Sequence, residues 1–120
     1  MIAATHVLIF ADDAHATREF LRDVLGWKNV DAGDGWLIFA LPPTELGVHP
    51  GEPRHELFLM CHDIEETKTE LEAKGVEFTA PLEDQGFGLV TRFKVPGAGE
   101  LQLYQPKHDS PLPEFSSRDD

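Results

Sequence analysis

The sequence predicts an α+β fold in which two βαβββ modules wrap curved mixed sheets around a shared cleft. Three observations carry that prediction. An offset of fifty residues lays His6-Val7-Leu8-Ile9-Phe10-Ala11 on Glu56-Leu57-Phe58-Leu59-Met60-Cys61, a polar residue and then an apolar run in both. Each run is too short for a helix and is bounded by a helix-start signal, which reads as a buried strand. The 120 residues, 41% hydrophobic and 27% charged, match one globular domain, whereas half of them would make a small core on their own.

The elements follow in order. After the run 6–11, Asp12 or Asp13 caps a helix whose stripe is Thr17, Phe20, Leu21, Val24 and Leu25, and Gly26 ends it. Strands are expected over 29–31, 36–41 and 45–49, broken by Gly33-Asp34-Gly35 and Pro42-Pro43. In the second half Asp63 caps a helix with Glu65 and Glu66 in its first turn, the stripe Ile64, Thr67, Leu71, and the stop Gly75. Strands are expected over 76–79, 87–94 and 100–104, broken by 81–86 and 96–99. Module one thus covers 3–49 and module two 55–105 of a single domain over 1–106, and the residues 107–120 lack apolar periodicity and read as a loose tail.

Charge narrows the range of roles. Ten Lys and Arg stand against 22 Asp and Glu, a formal net charge of −12, so phosphate backbones and anionic lipid surfaces are repelled. No apolar run approaches the ~20 residues of a bilayer span, and no basic region precedes Arg18 at the N-terminus as a signal peptide would require. A single cysteine, Cys61, allows no internal disulfide. The expectation is a cytoplasmic protein with a small-molecule ligand and no nucleic-acid or membrane partner.

Strand alternation then selects polar residues for the cleft. His6 shares a face with Leu8 and Phe10, and by the repeat Glu56 shares one with Phe58 and Met60. Glu45, Gly47 and His49 lie together, as do Glu100, Gln102 and Tyr104. Glu45 and His49 are ~13 Å apart along a strand, too far to share one ion. One reading brings His6, Glu45, Glu56 and Gln102 onto a divalent metal. The other leaves them as solvated strand ends, with His6 paired to Glu56. Imidazole and oxygen donors suit Mn, Fe, Ni or Mg, with Zn also possible, and a structural thiolate zinc is excluded by the lone cysteine.

The doubled βαβββ order resembles the vicinal-oxygen-chelate superfamily, which holds glyoxalase I, bleomycin-resistance proteins, fosfomycin-resistance transferases and extradiol dioxygenases. His6 opening the first strand, Glu45-Leu46-Gly47-Val48-His49, and the ending Val95-Pro96-Gly97-Ala98-Gly99-Glu100-Leu101-Gln102-Leu103 carry the resemblance over about residues 3–106. It implies a glyoxalase-like fold and metal ligands at His6, Glu45, Glu56 and Gln102. Glyoxalase I enzymes use His or Gln, Glu, His, Glu in that order, so Glu56 and Gln102 depart from the pattern. The dioxygenases and fosfomycin transferases need two His and one Glu, which Glu56 also breaks. The resemblance further implies a homodimer whose clefts draw strands from both subunits.

Two functions compete. In the first, a metal-dependent lyase or isomerase chelates a small oxygenated substrate, and Glu45 or Glu56 moves a proton. In the second, a metal-free protein of the bleomycin-resistance type holds a drug or natural product, with no organic cofactor in either case. Trp36, His49, Phe58, Phe93 and Tyr104 are the expected ligand-contacting residues. A third role, a partner domain within a larger assembly, finds little support, because the exposed helix faces are polar.

Overall fold

Both helices begin where the sequence places an aspartate. The computed structural model describes residues 6–48, 50 and 52–115. Helix α1 spans Ala14–Asp23, and the Asp13 carboxylate accepts from the Ala16 amide at 3.0 Å. Helix α2 spans Ile64–Ala73, and Asp63 accepts from the Glu66 amide at 3.1 Å. Each cap satisfies an amide that has no carbonyl partner one turn earlier. Gly75 follows α2 with φ 88°, a left-handed stop open to glycine without steric cost.

Module two closes into a four-stranded mixed sheet. Its strands are β3 (Phe58–Met60), β4 (Glu83–Asp84), β5 (Gly88–Lys94) and β6 (Glu100–Pro106), in the order β3-β6-β5-β4, after β1 and β2 of module one. β3 runs parallel to β6 with Phe58 opposite Gln102 and Met60 opposite Tyr104, and β5 runs antiparallel to β6 with Val90 opposite Tyr104. The strand expected over 76–79 shrinks to one bridge, Phe78 to Phe93, flanked by bonds from Thr79 N to Arg92 O and Lys94 N to Glu77 O, both 2.9 Å. Pro81 offers no N–H and breaks this edge, and beyond it β4 resumes pairing with β5 inside a stretch expected to be loop.

Module one is more open. β1 (Asn29–Asp31) and β2 (Leu37–Phe39) form an antiparallel hairpin. The Asp31 carboxylate holds its turn by accepting from Gly33 N at 2.7 Å and Gly35 N at 3.2 Å. The strands expected over 6–11 and 45–49 do not form among the described residues: 6–10 and 45–48 carry no ladder, and His49 lies outside those residues. An apolar run becomes a buried strand only when a neighbour completes its hydrogen bonds. β6 does this for β3. Among the described residues no strand does it for Val7, Leu8, Ile9 and Phe10, which stay exposed.

The core lies between the helices and one face of the sheet. Phe20, Leu21, Ile64, Val76, Phe93, Val95 and Leu103 form it, with Leu59, Leu89 and Leu101 packed alongside. The modules meet where the β5–β6 turn touches the start of α1: Thr17 Oγ1 donates to Pro96 O at 2.7 Å, and Asp13 N donates to Gly97 O at 3.2 Å. Thr17 is buried at this contact. Among the described residues, no helix is long and apolar enough to cross a membrane.

Candidate functional site

The sheet register sorts side chains into two sets. Leu59, Leu89, Thr91, Phe93, Leu101 and Leu103 face the helices, so Phe58, Met60, Val90, Arg92, Gln102 and Tyr104 share the opposite face. Rings gather on that opposite face. Tyr104 meets Phe58 edge-on at 5.6 Å and Phe87 edge-on at 5.5 Å, geometries that place ring edges against ring faces. Gly88 permits this. A Cβ there would lie 2.6 Å from Gln105 O and 3.0 Å from Tyr104 Cδ2, so only glycine lets the Tyr104 ring lie across β5.

Glu45 reaches the same place from module one. Its side chain is 17% exposed. One carboxylate oxygen accepts from Ser110 Oγ at 2.6 Å, and the other lies 3.5 Å from His108 Nε2. The same imidazole nitrogen contacts the Tyr104 hydroxyl. His108 Nδ1 sits 2.7 Å from the Asp109 carbonyl, which only accepts, so Nδ1 carries a proton. Burial, and after it the Glu45 charge, pushes the Tyr104 phenol above its ordinary pKa of 10.0, so near neutral pH it stays a hydrogen-bond donor.

The expected donors are scattered. His6 is exposed and belongs to no strand. Glu56 also lies outside any strand, 46% exposed, with Oε1 3.7 Å from Arg54 Nε. Gln102 is half-buried in the middle of β6, between Phe58 and Arg92. Among the described residues, no three His, Cys, Asp or Glu side chains come together as a metal site. Among the described residues of this single chain, His6, Glu45 and Glu56 are thus not gathered at one point. The reason is local to module one, where residues 6–10 and 45–48 lack the sheet that would aim them inward.

The ligand-contacting expectations divide in the same way. Phe58 and Tyr104 lie on the face away from the helices, where Tyr104 is 6% exposed, but Phe93 is fully buried on the helix side against Phe20 and Phe78. Alternation along β5 decides this, since Phe93 points away from Val90 and Arg92. Trp36 is 53% exposed at the end of the β1–β2 turn, and His49 lies outside the described residues. Phe87, His108 and Ser110 are the contacts that sequence reading missed. Phe87 directly precedes β5, and strand alternation would group it with Leu89 on the helix side, so its contact with Tyr104 was not legible. The other two lie in the segment after β6, whose proline-rich composition carries no period. The tail expected to be loose makes these bonds over 107–115, and residues 116–120 lie outside the described set.

The remaining candidates are quiet. Cys61 Sγ lies 3.7 Å from Tyr104 O, and burial pushes its thiol up to about 11, which makes it a poor nucleophile.

Comparison with known proteins places this geometry. A model of the Glyoxalase/Bleomycin resistance protein/Dioxygenase superfamily matches residues 3–99. The fold is shared with TnmS3, an antibiotic binding protein from Streptomyces, at TM-score 0.62 and 20% identity over 89% of this chain and 100% of that one. It is shared with a lactoylglutathione lyase from Agrobacterium tumefaciens at TM-score 0.64 and 17% identity, covering 86% and 92% of the two chains. A superfamily member from Sphaerobacter thermophilus is 24% identical at TM-score 0.62, covering 87% and 98%. No curated protein matches the chain.

Proposed function

This chain belongs to the Glyoxalase/Bleomycin resistance protein/Dioxygenase superfamily, and from that premise we propose that it binds a small aromatic cation without a metal, as a drug- or natural-product-binding protein. One observation carries the reading. A largely covered carboxylate, Glu45, stands beside the Phe58–Tyr104–Phe87 ring cluster, while the expected metal donors lie apart. Ring faces attract a cation, and a carboxylate shielded from water attracts it more strongly than an exposed one. The net charge of −12 draws cations toward the protein as a whole. TnmS3 from Streptomyces, which shares the fold, is an antibiotic binding protein, and this supports a binding role.

The protein is further proposed to work as a homodimer. Leu46 and Val48 are 91% and 93% exposed, and Phe10 is 88% exposed. Large apolar side chains along two unpaired extended segments call for a partner. The radius of gyration, 15.4 Å, exceeds the about 13.6 Å of a closed globule of this length. A symmetric second copy would cover both segments at once.

The test is a thermal-shift panel of aromatic cations with neutral and anionic analogues of the same shape, beside elemental analysis of untagged protein. Cations alone raise the melting temperature, and Glu45→Gln removes most of the shift. A ligand at a hundredfold its Kd contributes about 2.7 kcal/mol, which is readily measured. The competing reading is the metal-dependent lyase or isomerase. Stoichiometric metal together with a metal-induced rise in melting temperature would establish it in place of the binder.

A further inference from the structure

Residues 107–115 leave the end of β6 and do not run into solvent. Lys107 N donates to Phe87 O at 2.9 Å, and the Lys107 ammonium pairs with Asp84. His108 then lies against the Tyr104 ring, centroids 5.8 Å apart, and Ser110, 6% exposed, donates to Glu45. Leu112 N closes a small turn onto Ser110 Oγ at 3.1 Å. The 3-10 turn Pro113–Phe115 ends the segment, where Phe115 stacks on His62 with centroids 4.3 Å apart and rings 14° from parallel.

Two features of this course point to something other than plain packing. Both Glu45 oxygens face this segment, one at Ser110 and the other at His108. Ser110 stands where a ligand's cationic group would stand and supplies a polar hydrogen as that group would, while the His108 ring lies against the other oxygen. The segment also borders an open pocket of about 340 Å³ at the strand ends, lined by Cys61, His62, Gln105, His108, Glu114 and Phe115. A segment held by a few polar contacts beside open space opens more readily than the packed core.

We infer that residues 107–115 are a strap latched on Glu45, which keeps this carboxylate covered by Ser110 and His108 in the resting chain until a cationic ligand takes it. The inference deepens the binding site proposed above and rests on that reading only for the identity of the ligand. Glu45 thereby alternates between an internal and an external partner, and affinity is set by the difference between them.

The latch is tested without any ligand. Carbodiimide labelling of carboxylates in the full-length chain, mapped by mass spectrometry, compares Glu45 with exposed Glu56 as an internal standard. In the double variant Ser110→Ala, His108→Ala, Glu45 is labelled at least fivefold faster relative to Glu56. In Glu45→Ala, the amides of Ser110, Leu112, Glu114 and Phe115 exchange hydrogen at least tenfold faster while those of α1 and β5 do not change. Each single variant is measured beside the double, so a folding defect in one does not decide the outcome. Unchanged labelling and unchanged exchange overturn the strap. Thioflavin T, an aromatic cation that brightens when held rigid, then separates the two proposals. Tighter binding by the double variant supports both. Faster labelling with no gain in thioflavin T binding leaves the strap standing and counts against the cationic ligand.

Discussion

Replacing Gly97 by alanine should destabilise this protein by about 3–4 kcal/mol, and replacing Gly99 by only about 1. Both glycines sit in the left-handed region, with φ 78° and 75°, so both alanines incur about 1 kcal/mol of backbone strain. Their surroundings differ. A Cβ on Gly97 would lie 2.8 Å from Asp13 Cβ and 2.9 Å from Asp13 C, with Asp13 O nearer still, whereas nothing lies within 4 Å at Gly99. The atoms in the way are mainly backbone at the start of α1, which cannot rotate aside. Relief therefore means lifting the β5–β6 turn off the helix, which breaks the bonds from Asp13 N to Gly97 O and from Thr17 Oγ1 to Pro96 O. Two hydrogen bonds of about 1 kcal/mol each, one made by a buried hydroxyl, supply the additional 2–3 kcal/mol, roughly. Urea unfolding of the two variants, at matched m values, measures the difference directly. If they unfold within about 0.5 kcal/mol of each other, the close approach of the modules at this turn is refuted.

Three further expectations are simpler. Asp63→Ala loses the cap of α2 and about 1 kcal/mol by the same assay, while Asp63→Asn, which keeps the acceptor, loses little. Cys61, with its pKa raised by burial from 9.0 to about 11, should react with a disulfide reagent at pH 8 about a hundredfold more slowly than in the unfolded chain. Folding favours the protonated thiol, so its contribution to stability is complete below pH 9 and declines as the pH rises toward 11. Leu8→Asp combined with Phe10→Asp should convert a dimer into a folded monomer. Light scattering reads the mass and circular dichroism the fold; an unchanged mass, or a wild-type monomer, would remove residues 6–10 from the interface.

Local signals proved legible wherever the cause was local. Asp13 and Asp63 cap helices, Gly75 ends one, and Asp31 to Gly35 makes a turn, because each outcome depends on atoms within a few residues. Alternation along β3 and β6 likewise placed Phe58 and Tyr104 on the face away from the helices, since the period of a strand is a property of its own backbone. The same rule, followed along β5, sends Phe93 to the helix side, so its place in the core was available from the register. The family was legible through the repeat and the strand endings.

Long-range pairing was not legible. Residues 6–10 and 56–60 look alike in sequence, yet among the described residues the first joins no ladder and the second holds β3 against β6, because a ladder depends on a neighbour from a distant segment. The site shows this most clearly. Glu45 and Ser110 are 65 positions apart and meet at 2.6 Å, and neither carries a periodic signal that marks the other. The sequence by itself determined the helices, their ends and the faces of individual strands. Only the tertiary structure decided which carboxylate is covered and by what, since a side chain's electrostatic surroundings come from groups that chain folding brings together and that spacing along the chain does not encode.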